Sequence, residues 1–197
     1  MRADARANHV RLLVVAGAVI TEQGVDASMR DIARQAGVGL ATLLRHFPTR
    51  EALLEALLRT SFDELTARAA EVETSSLPQD ALMLWLRDFV ACTTNYRGVA
   101  TSMMRAIEDP QSALHTSCVT MRAAGTRLLT RAQAADVART DLDGADLFAL
   151  ASSLAWLGDM PGLEARAEHL FGVVMSAILT NADSSDTEEE RRPRARS

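Results

Sequence analysis

Nearly every stretch of this chain repeats its apolar residues with the period of an α-helix, and none alternates them as a half-buried strand does. Pro and Gly are sparse, 5 and 10 in 197 residues, so the helical runs are long and the breaks between them are few. The pattern predicts nine helices, over about 7–23, 28–35, 39–47, 50–72, 79–96, 100–107, 111–134, 144–158 and 163–181. Ser28 with Asp31 opens the second as a capping box, and Thr49 is placed to cap the fourth. Pro48 forbids continuation of the third. Gly17, inside the first, weakens it by about 1 kcal/mol relative to Ala. The fold class is therefore all-α.

The second and third helices are about two turns each, too short to stand alone. Joined by the tight turn Ala36–Gly37–Val38, they form a helix-turn-helix. Ile32, Val38, Leu43 and Phe47 are expected to face the first helix, where Leu12, Ala16, Val19 and Ile20 make the matching stripe. That leaves Leu40, Ala41, Leu44 and Arg45 outward together. Such a face suits a helix lying in the major groove, with apolar groups against thymine methyls and Arg against guanine. On spacing alone, Leu40 and Leu44 fit packing on another element equally well.

The run SMRDIARQAGVGLATLLRHFPTREALLEALL resembles the DNA-binding domain of the TetR family of bacterial one-component transcription regulators, from residue 12 to about 58. The resemblance implies three N-terminal helices holding the helix-turn-helix, followed by a six-helix ligand-binding and dimerisation domain. It places Arg30 at a base-contacting position, Thr42 and His46 at phosphate-binding positions, and Arg50 where the family commonly has a phosphate-binding Lys. Gly39 stands where a capping Ser or Thr is usual, and Leu44 where a Tyr is usual. Arg2, Arg6 and Arg11 are candidates to add contacts from an N-terminal arm. The implied function is a ligand-responsive repressor that binds a pseudo-palindromic, double-stranded DNA operator as a homodimer. An architectural DNA-binder of the same fold, with no effector, is the alternative.

The body carries two further patterns. Trp85, Phe89, Cys92 and Tyr96 form one stripe on the fifth helix, and Leu114, Cys118, Met121, Gly125 and Leu128 form another on the seventh. Most of these are core. Met and aromatic walls also suit an adaptable apolar pocket, and the expected wall, between helices four and eight, is Trp85, Phe89, Met103, Met104, Cys118 and Met121. Arg105, Glu108, His115 and Arg122 are candidate polar anchors. An apolar or cationic small-molecule effector is expected, with the fourth helix transmitting its binding through Phe62 and Leu65. The eighth and ninth helices are apolar around more than one face, which calls for a second partner. The two-fold seam is expected on Leu150, Leu154, Leu170, Val174 and Ile178. The stretch LLTRAQAADVARTDLDGADLFALASSLAW resembles, less closely, the SbtR-type C-terminal domains of the same family.

Charge supports two partners. Residues 1–60 hold 8 Arg against 6 acids and the remainder 13 against 20, a mildly basic N-terminal part on an acidic body. The organisation read from this is a DNA-binding domain at 1–50, a ligand-binding and dimerisation domain at 51–182, and a polar, disordered tail at 183–197. Cys92 and Cys118 match no metal or redox spacing. The scattered histidines and the lack of a nucleophile–base pairing or phosphate loop argue against an enzyme, so neither a cofactor nor a metal is expected. The charged start MRADARANHV lacks an apolar signal region and no apolar run spans a membrane, so a cytoplasmic protein without a membrane partner is expected.

Overall fold

The computed structural model describes residues 2–158, 160 and 162–180. The chain begins with α1 (Arg2–Gln23), α2 (Met29–Gln35), α3 (Leu40–His46) and α4 (Arg50–Ser75). It continues through α5 (Pro78–Ser102), α6 (Met104–Glu108), α7 (Ala113–Ala134), α8 (Gly144–Gly158) and α9 (Ala167–Ile178), the last preceded by a 3-10 turn at Glu164–Arg166. Among the described residues the only β-type pairing is a single bridge, Ala138 with Leu179, which ties the end of α9 to the loop after α7. The tail expected at 183–197 lies outside the described residues.

Local chemistry sets the starts and stops. The Ser28 hydroxyl accepts from the Asp31 amide at 3.1 Å to open α2, and Thr49 does the same for Ala52 at 3.1 Å to open α4. α3 starts at Gly39 with no side-chain cap. Between α2 and α3, Gly37 takes φ +68°, a left-handed conformation that a side chain resists, and this closes the tight turn.

Two apolar cores result. The N-terminal core joins Leu12, Ala16, Val19 and Ile20 of α1 to Ile32, Leu43 and Phe47, with Val38 packed against them, as the stripes predict. It also takes in Leu53, Leu54, Leu57 and Leu58 from α4, and Val99, Met103 and Leu114 from further along the chain. The second core is built by α4, α5, α7, α8 and α9 around Trp85. The two divide within α4, and Phe62 packs against both. At about 1.5 Å per residue, the 26-residue α4 is about 39 Å long, enough to belong to both.

α5 also serves both cores. Leu82, Trp85 and Phe89 lie in the second core and Val99 in the first. The helix was expected to stop at 96; instead it bends there, with Tyr96 at φ −115° and ψ 17°, and runs on to Ser102. Beyond the bend it lies on the α1–α2 turn: a Cβ at Gly98 would stand 2.8 Å from Val25 Cγ1. Gly17 has a packing role too, since a Cβ there would meet the Tyr96 hydroxyl at 2.8 Å. Its cost to α1 is the condition for seating Tyr96.

Candidate functional site

The outer face of α3 presents Ala41, Leu44 and Arg45 to solvent, with Leu44 38% exposed, while Leu43 and Phe47 are buried behind it. Leu40 and Thr42 are half-buried at its edges, and Arg30 is exposed at the start of α2. Leu44 thus has no packing partner that covers it within the protomer. His46 sits in a ring cluster, its centroid 5.9 Å from that of His9 and 6.3 Å from that of Phe47. Burial, and then the neighbouring charges of His46 and Arg59, hold the His9 pKa below its usual value.

Arg50, expected to reach phosphate, is engaged within the protomer: Nη1 donates to the Ala27 carbonyl at 2.8 Å, and Nη2 is buried without a partner among the described residues. The Ala27 carbonyl ends the α1–α2 connection, where no helix amide satisfies it, and the start of α4 passes beside it. Arg50 therefore fastens α4 to that connection. Arg11 donates to Asn8 Oδ1 at 3.2 Å, one turn back on α1, and the side chains of Arg2 and Arg6 lie outside the described residues.

In the body, α4 to α8 line a cavity of about 360 Å³ that is open to solvent on the side of Met104, Arg122, Ala149 and Ser152. Leu58, Phe62 and Leu65 come from α4; Phe89, Cys92, Thr93, Tyr96 and Ala100 from α5; Met104 and Ile107 from α6. Cys118, Met121 and Arg122 of α7 and Phe148 of α8 complete most of the rest. Four of the expected wall residues, Phe89, Met104, Cys118 and Met121, lie in it together. Trp85 and Met103 do not. Trp85 is fully buried one layer behind, stacked on Phe89 at 5.7 Å and edge-on to Phe148 at 5.9 Å, with Nε1 donating to the Leu65 carbonyl at 2.8 Å. Met103 is buried in the N-terminal core. The stripe on α5 faces the interior, but a helix of this bundle has two buried neighbours, and spacing does not say which residue meets the open one.

The wall is mainly apolar and its charge is positive, which bears against the cationic half of the expected apolar or cationic ligand and not against the apolar half. Its charged side chain is Arg122, whose guanidinium carbon lies 5.1 Å from the Phe148 ring centroid, and no carboxylate lines it. Burial pushes the Cys92 thiol up to about 11, against the opposing hydrogen bond from Ser61. Burial likewise raises Cys118 and Tyr96. These groups are neutral at pH 7. Of the other anchor candidates, His115 Nδ1 is engaged with the Ile107 carbonyl at 2.8 Å, and Arg105 and Glu108 are exposed outside the wall.

The residues expected in the seam divide between the protomer's core and its surface. Leu154 and Ile178 are buried in the protomer's own core, and Leu170 and Val174 pack against it. Leu150 is 37% exposed, and the outward faces of α8 and α9 carry Trp156 at 55% and Val173 at 49%. The stripe at 170, 174 and 178 faces inward because α9 must first cover α5 and α8 of its own chain.

A short helix with an exposed outer face, set in a helix-turn-helix and joined to a helical body with an apolar cavity, is the architecture of a helix-turn-helix transcription regulator. Comparison with known proteins agrees. Residues 12–57 match the family described as bacterial regulatory proteins, tetR family, and residues 77–178 match the SbtR-like transcriptional regulator C-terminal domain. The solved TetR transcriptional regulator SCO0520 from Streptomyces coelicolor is 33% identical, covering 88% of this chain and 99% of its own, with a TM-score of 0.73. A TetR regulatory protein from Mycobacterium vanbaalenii is 29% identical over 91% of this chain and 99% of its own, with a TM-score of 0.70. The HTH-type transcriptional repressor KstR2 of Rhodococcus jostii (strain RHA1) is 32% identical over 92 residues, which span 46% of this chain and 43% of that relative. The chain belongs to the TetR family of bacterial transcriptional regulators.

Proposed function

We propose that this protein is an effector-responsive repressor that holds a pseudo-palindromic operator as a homodimer and releases it when a small molecule fills the cavity. One observation carries the reading. The cavity wall is continuous with the core under the reading helix: Leu58 belongs to both, and Phe62 packs against both cores. A molecule that fills this space acts directly on the two helices, α4 and α5, that help build the DNA-binding part. A ligand can shift operator affinity only by binding the two states of the dimer unequally. Couplings of about 1–3 kcal/mol change affinity roughly 5–150-fold, which suffices for release.

On the DNA, Arg45 and Arg30 read base edges, with Ala41 and Leu44 against the groove floor and Leu40 at the rim. Thr42 and His46 hold phosphates. Arg50 acts by fixing α4 rather than by touching DNA, which its bond to Ala27 supports. The dimer forms through the exposed faces of α8 and α9 around Leu150, Trp156 and Val173. Half-site centres lie about one helical turn, or a multiple of it, apart.

The test begins with selection of an operator from a random duplex pool. Arg45→Ala is then expected to cost about 1–3 kcal/mol on the selected site and to relax specificity at one position per half-site. Unchanged affinity removes Arg45 from the groove. If a compound that stabilises the protein in a thermal-shift screen leaves operator affinity unchanged at saturation, the effector reading fails and the architectural one takes its place.

A further inference from the structure

We propose that the cavity selects an amphipathic anion, a molecule with an apolar body and one negatively charged head, of which a carboxylate is the simplest case. This rests on reading the cavity as an effector site and names the chemistry of its ligand.

The wall is a sleeve of Phe, Met, Leu and Ile side chains that rewards apolar area and little else. Arg122 interrupts it. Several other arginines of the acidic body are engaged: Arg68, Arg87, Arg127 and Arg139 each reach a carboxylate, and Arg131 reaches the Ser76 carbonyl, while Arg105, outside the wall, is exposed and reaches no carboxylate among the described residues. Arg122 reaches no carboxylate among the described residues, although the body carries many acids. Its guanidinium lies over the Phe148 ring instead, on the exposed side of the cavity wall, with its N–H donors open to solvent and to an entering ligand. A planar fork of donors beside an apolar ring is the arrangement that takes a carboxylate in two parallel hydrogen bonds. No other charge among the described wall residues competes, since both thiols and the phenol stay protonated and Thr93 and Ser152 offer only neutral hydroxyls. Glu64, which bears electrostatically on Cys92 and Tyr96, opens onto a neighbouring polar cleft with Arg68 and Asp88, behind the Leu65, Cys92 and Tyr96 side of the wall. A cation entering the cavity therefore meets like charge, a neutral molecule forgoes the ion pair, and an anion gains it. The volume, near the small end of the roughly 300–1,000 Å³ typical of ligand sites, admits one small molecule.

The test holds the apolar body constant and varies the head. Decanoic acid, decan-1-ol and decylamine are titrated calorimetrically into the full-length protein. Wild type is expected to bind the acid at least tenfold more tightly than the alcohol, with the amine weakest. Arg122→Gln is expected to bring the acid down to the alcohol while leaving the alcohol within about twofold, and Arg122→Glu to invert the order of acid and amine. Arg127→Gln removes the same charge from α7 outside the wall and keeps the wild-type order. Equal binding of acid and alcohol by wild type overturns the proposal. So does an acid preference that survives Arg122→Gln, or no acid binding up to about 1 mM. Operator affinity is measured separately. Selective acid binding that leaves it unchanged sinks the effector reading and keeps this one. Operator release by alcohol or amine as readily as by acid keeps the effector reading and sinks this one.

Discussion

Gly125 shows how little room the second core has to spare. A Cβ there would stand 2.5 Å from Trp85 Cη2, 2.6 Å from Cζ3 and 2.9 Å from Phe148 Cζ. The indole cannot withdraw, because its Nε1 is fixed to the Leu65 carbonyl. Gly125→Ala is therefore expected to lower stability by about 1–3 kcal/mol, despite the better helix propensity of Ala, and urea denaturation reads the change. Because Phe148 also backs Arg122, the same substitution should weaken binding of any ligand that uses the cavity. A neutral or stabilising outcome would mean that the rings move more freely than their contacts indicate.

At the scale of the element, α5 is the piece that reaches both cores and bends between them. The bend falls at Tyr96, which lines the cavity, hydrogen-bonds with Ser61 of α4 and Thr21 of α1, and presses its hydroxyl on Gly17. Transmission was expected through α4 alone. We expect a second path beside it, in which a ligand that displaces the Tyr96 ring would move the α1 contact and the end of α5 that rests on Val25. Tyr96→Phe keeps the ring and removes the two hydroxyl contacts. It is expected to leave ligand affinity nearly unchanged while altering the ligand's effect on operator affinity by about 0.5–2 kcal/mol. The measurement is the operator Kd with and without saturating ligand, in both proteins. An identical ratio in the two would return transmission to α4.

At the scale of the whole molecule, the inward and outward faces of α8 and α9 give opposite expectations for two similar substitutions. Val173 is 49% exposed and Leu154 only 7%. Val173→Glu is expected to leave the protomer folded but to split the dimer, since the seam must then bury an unpaired charge. Leu154→Glu is expected to unfold the protomer itself, for the same reason in its own core. Sedimentation at micromolar concentration, paired with thermal melts, separates the two. Wild type sedimenting as a monomer would remove the seam altogether.

What the sequence determined by itself was whatever depends on near neighbours along the chain. Apolar period, the Ser28 and Thr49 caps, Gly37 and Pro48 act within a turn or two, and they located the helices and the outward face of α3. Stripes told which residues are buried, as with Trp85, Met103, Leu154 and Ile178, but not what buries them. That choice lies with residues far along the chain. Trp85 meets α4 and Gly125 instead of the cavity, and Ile178 lies in the core of its own protomer. Arg50 looks like a free cation until the fold brings the Ala27 carbonyl beside it. Gly17 looks like a weak point until Tyr96, distant in sequence, arrives to use the space. Only the tertiary structure decided these, because the identity of a contact is set by where whole helices come to lie, and local period is blind to that.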